Sequence, residues 1–408
     1  MRKVFSTFLA YLTFFVIFIG FNSHILAQNK DSNYLNEIID NNNKFTINLF
    51  KSLNTNENLF VSPYSLYICF GMLYNGAKGE TSQNIKQVFN FSMSDNNLNN
   101  GFFSLDNLIN TKSFGANVTV NSANSLWIDK SKKLQSSFTN KIKKFFNGNI
   151  FSSDFINDFN GERLKINNMV ESITNNKINT LIPEGVLNKD TRIVVVNAIY
   201  FKGGWNEEFI HHLTKIEDFY VNSNTTADVN MMHQESNFSY NETDSIQILK
   251  MFYKDYDYSM IVFLPKNIDG IKKLESDLTP ENFKSWTSGL KPRPVKLSFP
   301  KFKLEDSFDL KAVLTNMGLG NIFTTEADFS GINGAKDLLI SSVIQKTYIN
   351  LDEEGTEASA ATAISAIGSG EDVDPEKPVI FNANHPFIFA IVNEYNNAII
   401  FIGKFTQP

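Results

Sequence analysis

The chain has 408 residues, of which 42% are hydrophobic and 13% aromatic, so it can bury a large core and is not disordered along its length. Its formal net charge is −6, and the basic residues are spread rather than clustered, which argues against nucleic acid as a partner. Cys69 is the single cysteine, so no internal disulfide can form. Its apolar neighbours, Phe70 among them, favour a buried small hydrophobe over a nucleophile.

Residues 1–27 differ in kind from the rest of the chain. Arg2 and Lys3 precede an apolar run from Val4 to Gly20, and Ala27 is followed by a polar stretch. This order predicts a signal peptide cleaved after Ala27, and hence a secreted or extracytoplasmic protein without stable membrane association after cleavage. An uncleaved N-terminal membrane anchor is the alternative, although the run is short for a spanning helix.

Helical patterns come first in the remaining chain. Apolar residues recur with a period close to that of an α-helix from Asn33 to Leu53, which predicts an amphipathic helix. Ser62 as N-cap and Pro63 at the first helical position predict a second helix that ends at Gly76. Thr81 is predicted to cap a third, short helix.

Strand patterns dominate from about Thr191 onwards. The run Ile193 to Val196 is β-branched and apolar throughout, which indicates a strand covered on both faces. Further strands are predicted at 218–221, 259–264, 295–302, 339–350, 379–381, 387–393 and 398–405. Helices followed by strands favour an α+β fold, and the sequence has no fixed-period repeat or interior linker, which predicts one domain over residues 28–408.

One unusual segment separates two of these strands. Glu353 to Glu357 is followed by a tract of mainly Ala, Ser and Thr up to Ile367, then by Gly368-Ser369-Gly370 and an acidic stretch that ends at Pro378. By composition alone, such a tract is a loop or a linker.

Several short motifs occur in an order that resembles the serpin family over roughly residues 33–408. They are Asn58 to Ser65, Gly76 to Thr81, Asn197 to Trp205, Met231-Met232, Phe263 to Pro265, Phe299 to Phe302, His385 to Phe387 and Phe401 to Lys404. The resemblance implies an α+β serpin fold with a large central mixed β-sheet, two smaller sheets, about nine helices and an exposed reactive-centre loop at about 353–384. It also implies that the native state is metastable.

The resemblance further implies inhibition of endopeptidases by a suicide-substrate mechanism. The target protease cleaves the reactive loop and is held as a covalent acyl-enzyme, while the cut loop inserts as a strand into the central sheet and distorts the protease. The expected partner is therefore a protease. The chain is expected to act as a monomer, to need no cofactor or metal, and not to be an enzyme.

The residues of the loop agree with insertion. An inserted strand points alternate side chains into the core, and the alternate set is uncharged: Thr356, Ala358, Ala360, Thr362, Ile364 and Ala366. Glu357 belongs to the other set, and no proline lies between Gly355 and Gly370. Insertion from Thr356 to Ser369 would add a strand of roughly 14 × 3.3, or ~46 Å. The predicted hinge comprises Glu353, Glu354, Gly355, Thr356, Glu357, Ala358, Ser359, Ala360 and Ala361.

The resemblance assigns a second group of residues to the opening of the central sheet. Glu353 is expected to pair with Lys301, or else to form only a solvated surface pair, and Trp205 to pack where the loop enters. The residues matching the region through which the sheet opens are Ser62, Ser65 and Asn197. Gln345 stands where the family usually has a histidine. Glutamine can hydrogen bond but cannot titrate near neutral pH, which puts pH-dependent gating at this position in doubt.

Counting along the hinge as in family members places the scissile bond at Ser369–Gly370, and the length of the following stretch leaves a range from Ile364 to Asp372 open. From Ala358 to Glu376 the sequence has no Lys or Arg, which argues against a trypsin-like target. The small and β-branched residues suit elastase-like, subtilisin-like or cysteine proteases.

Two other functional classes need consideration. The histidines beyond residue 27 form no recognisable triad or metal-spacing motif, which argues against an enzyme; they are His211, His212, His233 and His385. The alternative is a non-inhibitory serpin-fold binding protein or chaperone. Cleavage of such a protein would bring no gain in thermal stability.

Overall fold

A computed structural model describes residues 34–53, 55–110, 117–146, 149–357 and 377–408. Ten α-helical segments lie in these ranges, where about nine had been expected from the family. They are α1 (34–53), α2 (Pro63–Tyr74), α3 (Gly79–Val88), α4 (Asp95–Asn110), α5 (Ser136–Phe145), α6 (Phe155–Ile173), α7 (Ile271–Asp277), α8 (Pro280–Ser288), α9 (Lys311–Leu314) and α10 (Ser330–Asn333). The segment 1–27 and the tract 358–376 lie outside the described residues.

Two helix starts refine the predictions made from the sequence. Ser62 does precede Pro63 at the start of α2, but its side chain does not cap the helix, because its hydroxyl donates to the Ile400 carbonyl at 2.8 Å. Helix α3 starts at Gly79 with Lys78 as N-cap, so the prediction that Thr81 caps it is wrong. The Thr81 hydroxyl instead accepts a hydrogen bond from the Asp328 amide at 2.9 Å.

Sixteen strands lie in the described ranges. They are β1 (Leu59–Val61), β2 (Val118–Ser122), β3 (Ser125–Asp129), β4 (Asn149–Ser153), β5 (Ile193–Gly204), β6 (Lys215–Asn222), β7 (Thr225–Glu242), β8 (Ile246–Phe252), β9 (Tyr258–Pro265), β10 (Lys291–Pro300), β11 (Phe302–Asp309), β12 (Ile340–Leu351), β13 (Gly355–Thr356), β14 (Val379–Asn382), β15 (Phe387–Asn393) and β16 (Ile399–Phe405).

The central sheet has seven strands in the order β11-β12-β13-β5-β3-β4, with β2 paired to β5. Strand β5 is apolar throughout because both of its faces are covered. Val195 and Ile199 belong to the main hydrophobic core, whereas Val194 and Val196 belong to a second core on the opposite face, which includes residues of α6. The prediction of a doubly covered strand is therefore confirmed.

The remaining strands follow the order β1-β16-β15-β9-β8-β7-β10-β14, with β6 paired to β7. Strand β7 connects two groups of strands. Its residues 225–240 pair with β6 and β10, and residues 239–242 pair with β8. The two smaller sheets are thus joined into one hydrogen-bonded path.

Strands β5 and β12 lie side by side in the central sheet, and the line between them is here called the seam. The two strands are parallel, with direct pairs from Ile340 opposite Ile193 to Tyr348 opposite Tyr200. Beyond that last pair, β13 lies between them and is antiparallel to both. Within the described ranges, no helix combines the length and apolar character needed to cross a membrane. No group of three or more His, Cys, Asp or Glu side chains in those ranges is placed to hold a metal.

Candidate functional site at the hinge and the seam

The chain reverses direction tightly after β12 and enters the seam. The Asp352 amide donates to the Gly355 carbonyl at 2.9 Å, and the Asp352 carboxylate accepts from the Glu354 amide at 3.0 Å. Gly355 then pairs with Gly204, and Thr356 pairs with Gly203 on one side and Leu351 on the other. Gly355 and Thr356 of the predicted hinge are therefore already part of the central sheet.

Gly355 is required by its surroundings. Its φ is +150°, and a Cβ at this position would lie 2.6 Å from Gly204 Cα and closer still to the Gly203 carbonyl oxygen. No side chain larger than hydrogen fits between these backbones. The glycine thus sets the point at which the loop enters the seam.

Glu353 is only 4% exposed and is held by two side chains. Its carboxylate accepts from Lys301 Nζ and from Thr214 Oγ1, both at 2.8 Å. Burial would raise the pKa of Glu353, but the hydrogen bonds from Lys301 and Thr214 and the Lys301 charge outweigh burial and lower this pKa. The geometry matches the expected Glu353–Lys301 pair rather than a solvated surface pair.

Trp205 lies directly beneath the turn. Its indole Nε1 donates to the Asp352 carbonyl at 3.1 Å, and its backbone amide donates to the Glu354 carbonyl at 2.8 Å. The ring stacks on Tyr253, with 4.5 Å between centroids. The Tyr253 hydroxyl in turn hydrogen bonds to Thr356 Oγ1 at 2.9 Å. Trp205 and Tyr253 therefore fix both ends of the hinge turn.

A polar cluster bridges the middle of the seam. Gln345 on β12 is fully buried and faces Asn197 on β5; its amide nitrogen donates to Asn197 Oδ1 and, at 2.8 Å, to the Ser62 carbonyl. Its amide oxygen accepts from the Ser62 amide at 3.1 Å. Asn197 and Ser65 both donate to Asn124 Oδ1, at 2.8 and 2.5 Å. The structure thus brings Ser62, Ser65, Asn197 and Gln345 into one network.

Three residues of this region were not predicted from the sequence. Asn124 lies between β2 and β3, Tyr253 follows β8, and Thr214 precedes β6. Each meets the site only through pairing of distant segments. Their residue types carry no pattern that sets them apart in the sequence.

The remaining predicted residues fall into two sets. Glu357 follows Thr356 directly, and its side chain bonds to Tyr200, whereas the Thr356 side chain bonds to Tyr253. The hinge residues Ala358, Ser359, Ala360 and Ala361 and the scissile pair Ser369 and Gly370, with the open range from Ile364 to Asp372, lie outside the described residues.

The four histidines lie at three places, and they form no catalytic or metal-binding group among the described residues. His211 and its neighbour His212 precede β6, where His211 is 3.6 Å from the Glu354 carboxylate. His233 on β7 bonds to Ser298 Oγ at 3.0 Å and to Glu217 at 3.1 Å, and these partners lie on β10 and β6, the two strands that pair with β7. His385 bonds to the Pro265 carbonyl at 2.7 Å, and burial lowers its pKa. The contacts of His233 are ordinary cross-strand contacts.

Comparisons with known proteins agree with this geometry. The family model Serpin (serine protease inhibitor) matches residues 40–408. Serpin B3 from Homo sapiens is 38% identical over 92% of this chain and 100% of its own length. Leukocyte elastase inhibitor from Xenopus tropicalis is 36% identical over 89% of this chain and 97% of its own. The crystal structure of maspin gives a TM-score of 0.85 at 30% identity, covering 92% of this chain and 100% of maspin.

These comparisons confirm the predicted fold class. The relatives are protease inhibitors and not enzymes, which confirms that expectation and supports protease inhibition with a protease as partner.

The same relatives contradict the prediction of secretion. All of Serpin B3 aligns to 92% of this chain, so Serpin B3 has no counterpart of the rest of the chain. The predictions of a signal peptide and of a secreted or extracytoplasmic location, with the anchor as its variant, are therefore wrong. The prediction failed because an apolar run after two basic residues is a pattern of composition, which does not by itself identify a signal peptide.

Proposed function

Because the chain belongs to the serpin family, we propose that it inhibits endopeptidases as a suicide substrate. The protease cleaves the loop, its nucleophile stays bound as an acyl-enzyme, and the cut loop inserts into the seam and carries the protease along. Elastase-like, subtilisin-like or cysteine proteases are the proposed targets. The inhibitor acts as a single serpin domain over 28–408 and as a monomer, without a cofactor.

One observation carries this proposal: the hinge already occupies the seam at Gly355 and Thr356. Thr356 is fully buried and points into the main core, where its hydroxyl meets Tyr253. The strand that would be inserted therefore has its direction, its register and its inward face set before cleavage. Insertion would only lengthen the hydrogen-bonded ladders that β13 already forms with β5 and β12.

When the register of β13 is extended along the loop, each inward-pointing residue falls between one residue of β5 and one residue of β12. Thr362 would lie between Asn197 and Gln345, the polar pair of the seam. When β5 and β12 separate, the direct bond between those two amides is lost, and a hydroxyl between them can bond to both. The hydroxyl of Thr362 would thus lie where the separated side chains of Asn197 and Gln345 need a new hydrogen-bond partner.

In the same register, the apolar inward residues of the loop would lie between apolar residues of β5 and β12. Ile364 would lie between Val195 and Val343, two fully buried residues. In the same way, Ala358 would lie between Phe201 and Ile349. A linker of arbitrary composition has no reason to match the chemistry of the seam, whereas an inserting strand does.

The proposed scissile bond is Ser369–Gly370, within the range Ile364 to Asp372. The register reaches Ile193, the first residue of β5, at Ala366, so cleavage after Ser369 leaves enough chain to fill the seam along β5. The hinge residues from Glu353 to Ala361 and the seam residues Lys301, Trp205, Asn197, Ser62, Ser65 and Gln345 are proposed to control insertion.

The test is incubation with elastase, subtilisin, papain and trypsin, followed by denaturing gels and mass spectrometry of the released peptide. We expect a covalent complex with one of the first three and a peptide that starts at Gly370. Cleavage by all four without any complex would refute the proposal. If cleavage also brings no gain in thermal stability, the non-inhibitory binding protein or chaperone is favoured instead.

A matched pair of variants separates inhibition from simple cleavage. Thr356→Arg places a charge at a fully buried position, so the loop can be cut but cannot insert. Thr356→Ser keeps the hydroxyl that bonds to Tyr253. We expect Thr356→Arg to be cleaved as a substrate without complex formation, whereas Thr356→Ser still forms the complex.

A further inference from the structure

We propose that the Glu357 carboxylate locks the seam just ahead of the hinge, with Lys177 and Tyr200 as positioning residues that hold it there. This inference rests on the proposed insertion of the loop and concerns its rate. Loop insertion must separate β5 from β12, and the lock lies at the first directly paired position that must open.

The contacts of Glu357 cross the seam. Tyr200 on β5 donates its hydroxyl to Glu357 Oε2 at 2.7 Å. Tyr348 on β12 lines the same cavity as Glu357, and burial and then the nearby carboxylate raise the pKa of the Tyr348 hydroxyl. Tyr200 and Tyr348 face each other as the last direct pair of the seam. Through Lys177, whose ammonium pairs with Glu357 and lies over the Tyr348 ring, this carboxylate connects the two strands that must part.

Lys177 balances the charge of this carboxylate. Its ammonium lies 3.1 Å from Glu357 Oε2 and 5.8 Å from the centre of the Tyr348 ring, and it comes from the segment after α6. The Glu357 side chain is only 7% exposed, and the ammonium of Lys177 offsets the cost of burying a carboxylate there. The segment after α6 is thereby fastened across the seam.

The backbone of Glu357 shows that this position is a stop rather than part of the strand. Its φ is +54°, a left-handed conformation that residues with a side chain rarely adopt. Its amide already donates to the Asn350 carbonyl at 3.0 Å. Further insertion requires an extended backbone here, and therefore a rearrangement of the carboxylate contacts.

The inserted strand would offer the carboxylate a new partner. In the register of β13, Glu357 would lie opposite Lys202 on the same face as the present contacts. Lys202, Lys177 and Glu357 line one cavity of about 460 Å³. Glu357 can therefore exchange one lysine for another, so the lock slows insertion without opposing its final state.

The experiment measures insertion after cleavage, separately from inhibition. The loop is cut with subtilisin, and Trp fluorescence follows the approach to the cleaved form, whose thermal stability is measured at the end point. Glu357→Gln keeps the shape and removes the charge. We expect insertion about tenfold faster than in the parent chain, the ratio expected when a charge-assisted hydrogen bond becomes a neutral one.

Two further variants guard against misfolding of the first. Tyr200→Phe removes one bond to the carboxylate, and Lys177→Met removes its counter-charge; both should also accelerate insertion. The matched control is Glu242→Gln. Glu242 likewise accepts from a tyrosine, Tyr240, at 3.1 Å and pairs with a lysine, but it lies at the end of β7 away from the seam.

The outcomes separate this inference from the function on which it rests. A cleaved parent chain that gains no stability would refute insertion, and with it the lock. If the parent chain gains stability but all three lock variants insert at the rate of Glu242→Gln, insertion stands and the lock is refuted. Acceleration in the three variants alone supports the lock.

Discussion

Replacing Gln345 by methionine should weaken the closed seam more than any other single polar deletion on β12. Methionine has a similar shape and fills the same space, so the change removes hydrogen bonds without leaving a large cavity. Gln345 is fully buried and bonds to the Ser62 amide, the Ser62 carbonyl and the Asn197 side chain. All three groups lose this partner at once.

The size of the effect follows from those three groups. A buried polar group left without its partner costs about 1–3 kcal/mol. Asn197 Nδ2 keeps its bond to Asn124, but Asn197 Oδ1 is left without its donor, as are the two backbone groups of Ser62 without their partner. At the lower end of that range for each of the three groups, the free energy of unfolding of the uncleaved chain should fall by about 3 kcal/mol or more.

Urea unfolding followed by circular dichroism measures this change. The matched control is Gln247→Met, a partly exposed glutamine on β8 that also bonds to two groups, the Tyr240 hydroxyl and the Ile380 carbonyl. The control should cost less than about 1.5 kcal/mol, because water can replace its partners. A loss at Gln345 no greater than that of the control would refute the view that this cluster closes the seam.

Three further predictions concern the hinge, an acidic group and the loop. Gly355→Ala should expel the hinge from the seam and expose Trp205 to water, which would appear as a red shift of tryptophan fluorescence. The control is Gly185→Ala, because Gly185 also has a positive φ but no heavy atom near the added Cβ, and it should cause no shift. Equal shifts in the two variants would contradict the steric argument. Burial raises the pKa of Asp306 to about 6. The folded chain thus holds this proton to a higher pH than the unfolded chain, so stability should fall as the pH rises from about 4 to about 6. In urea unfolding, Asp306→Asn should lose this pH dependence and be up to about 3 kcal/mol more stable at pH 7, and an unchanged slope would contradict the assignment. Thr362→Val should reduce the gain in melting temperature on cleavage while Thr362→Ser preserves it, and equal gains would contradict the proposed register.

The strand pattern of the central sheet could be predicted from the sequence, because burial on both faces leaves an unbroken apolar run. The run at Ile193 to Val196 led directly to β5. The positions of the hinge and of the Glu353–Lys301 contact came instead from the order of family motifs. Local pattern alone could not have joined residues 301 and 353, which lie on different segments and meet only in the folded sheet.

The parts that could not be predicted depend on tertiary pairing. Nothing in the sequence distinguishes Tyr253 or Asn124 from other polar residues in loops, yet both contact the predicted site. The register of the hinge is another example, since it depends on the pairing of Thr356 with Gly203. The spacing of residues in the sequence shows which side chains of the loop would point to the same face. It does not show which residue of β5 each of them would lie opposite.

The strand directions would supply the proposed insertion with a driving force that side chains alone do not. In the uncleaved chain β5 and β12 form a parallel pair. The hinge strand β13 is antiparallel to both of them, so a loop that extends β13 replaces one parallel ladder with two antiparallel ladders. Antiparallel pairs are slightly more stable per residue, and the exchange adds a full set of backbone hydrogen bonds. Opening the seam costs the polar contacts of Gln345 and Glu357 first. In the proposed mechanism, those contacts would therefore govern how fast insertion begins, while the backbone ladders would govern how far it goes.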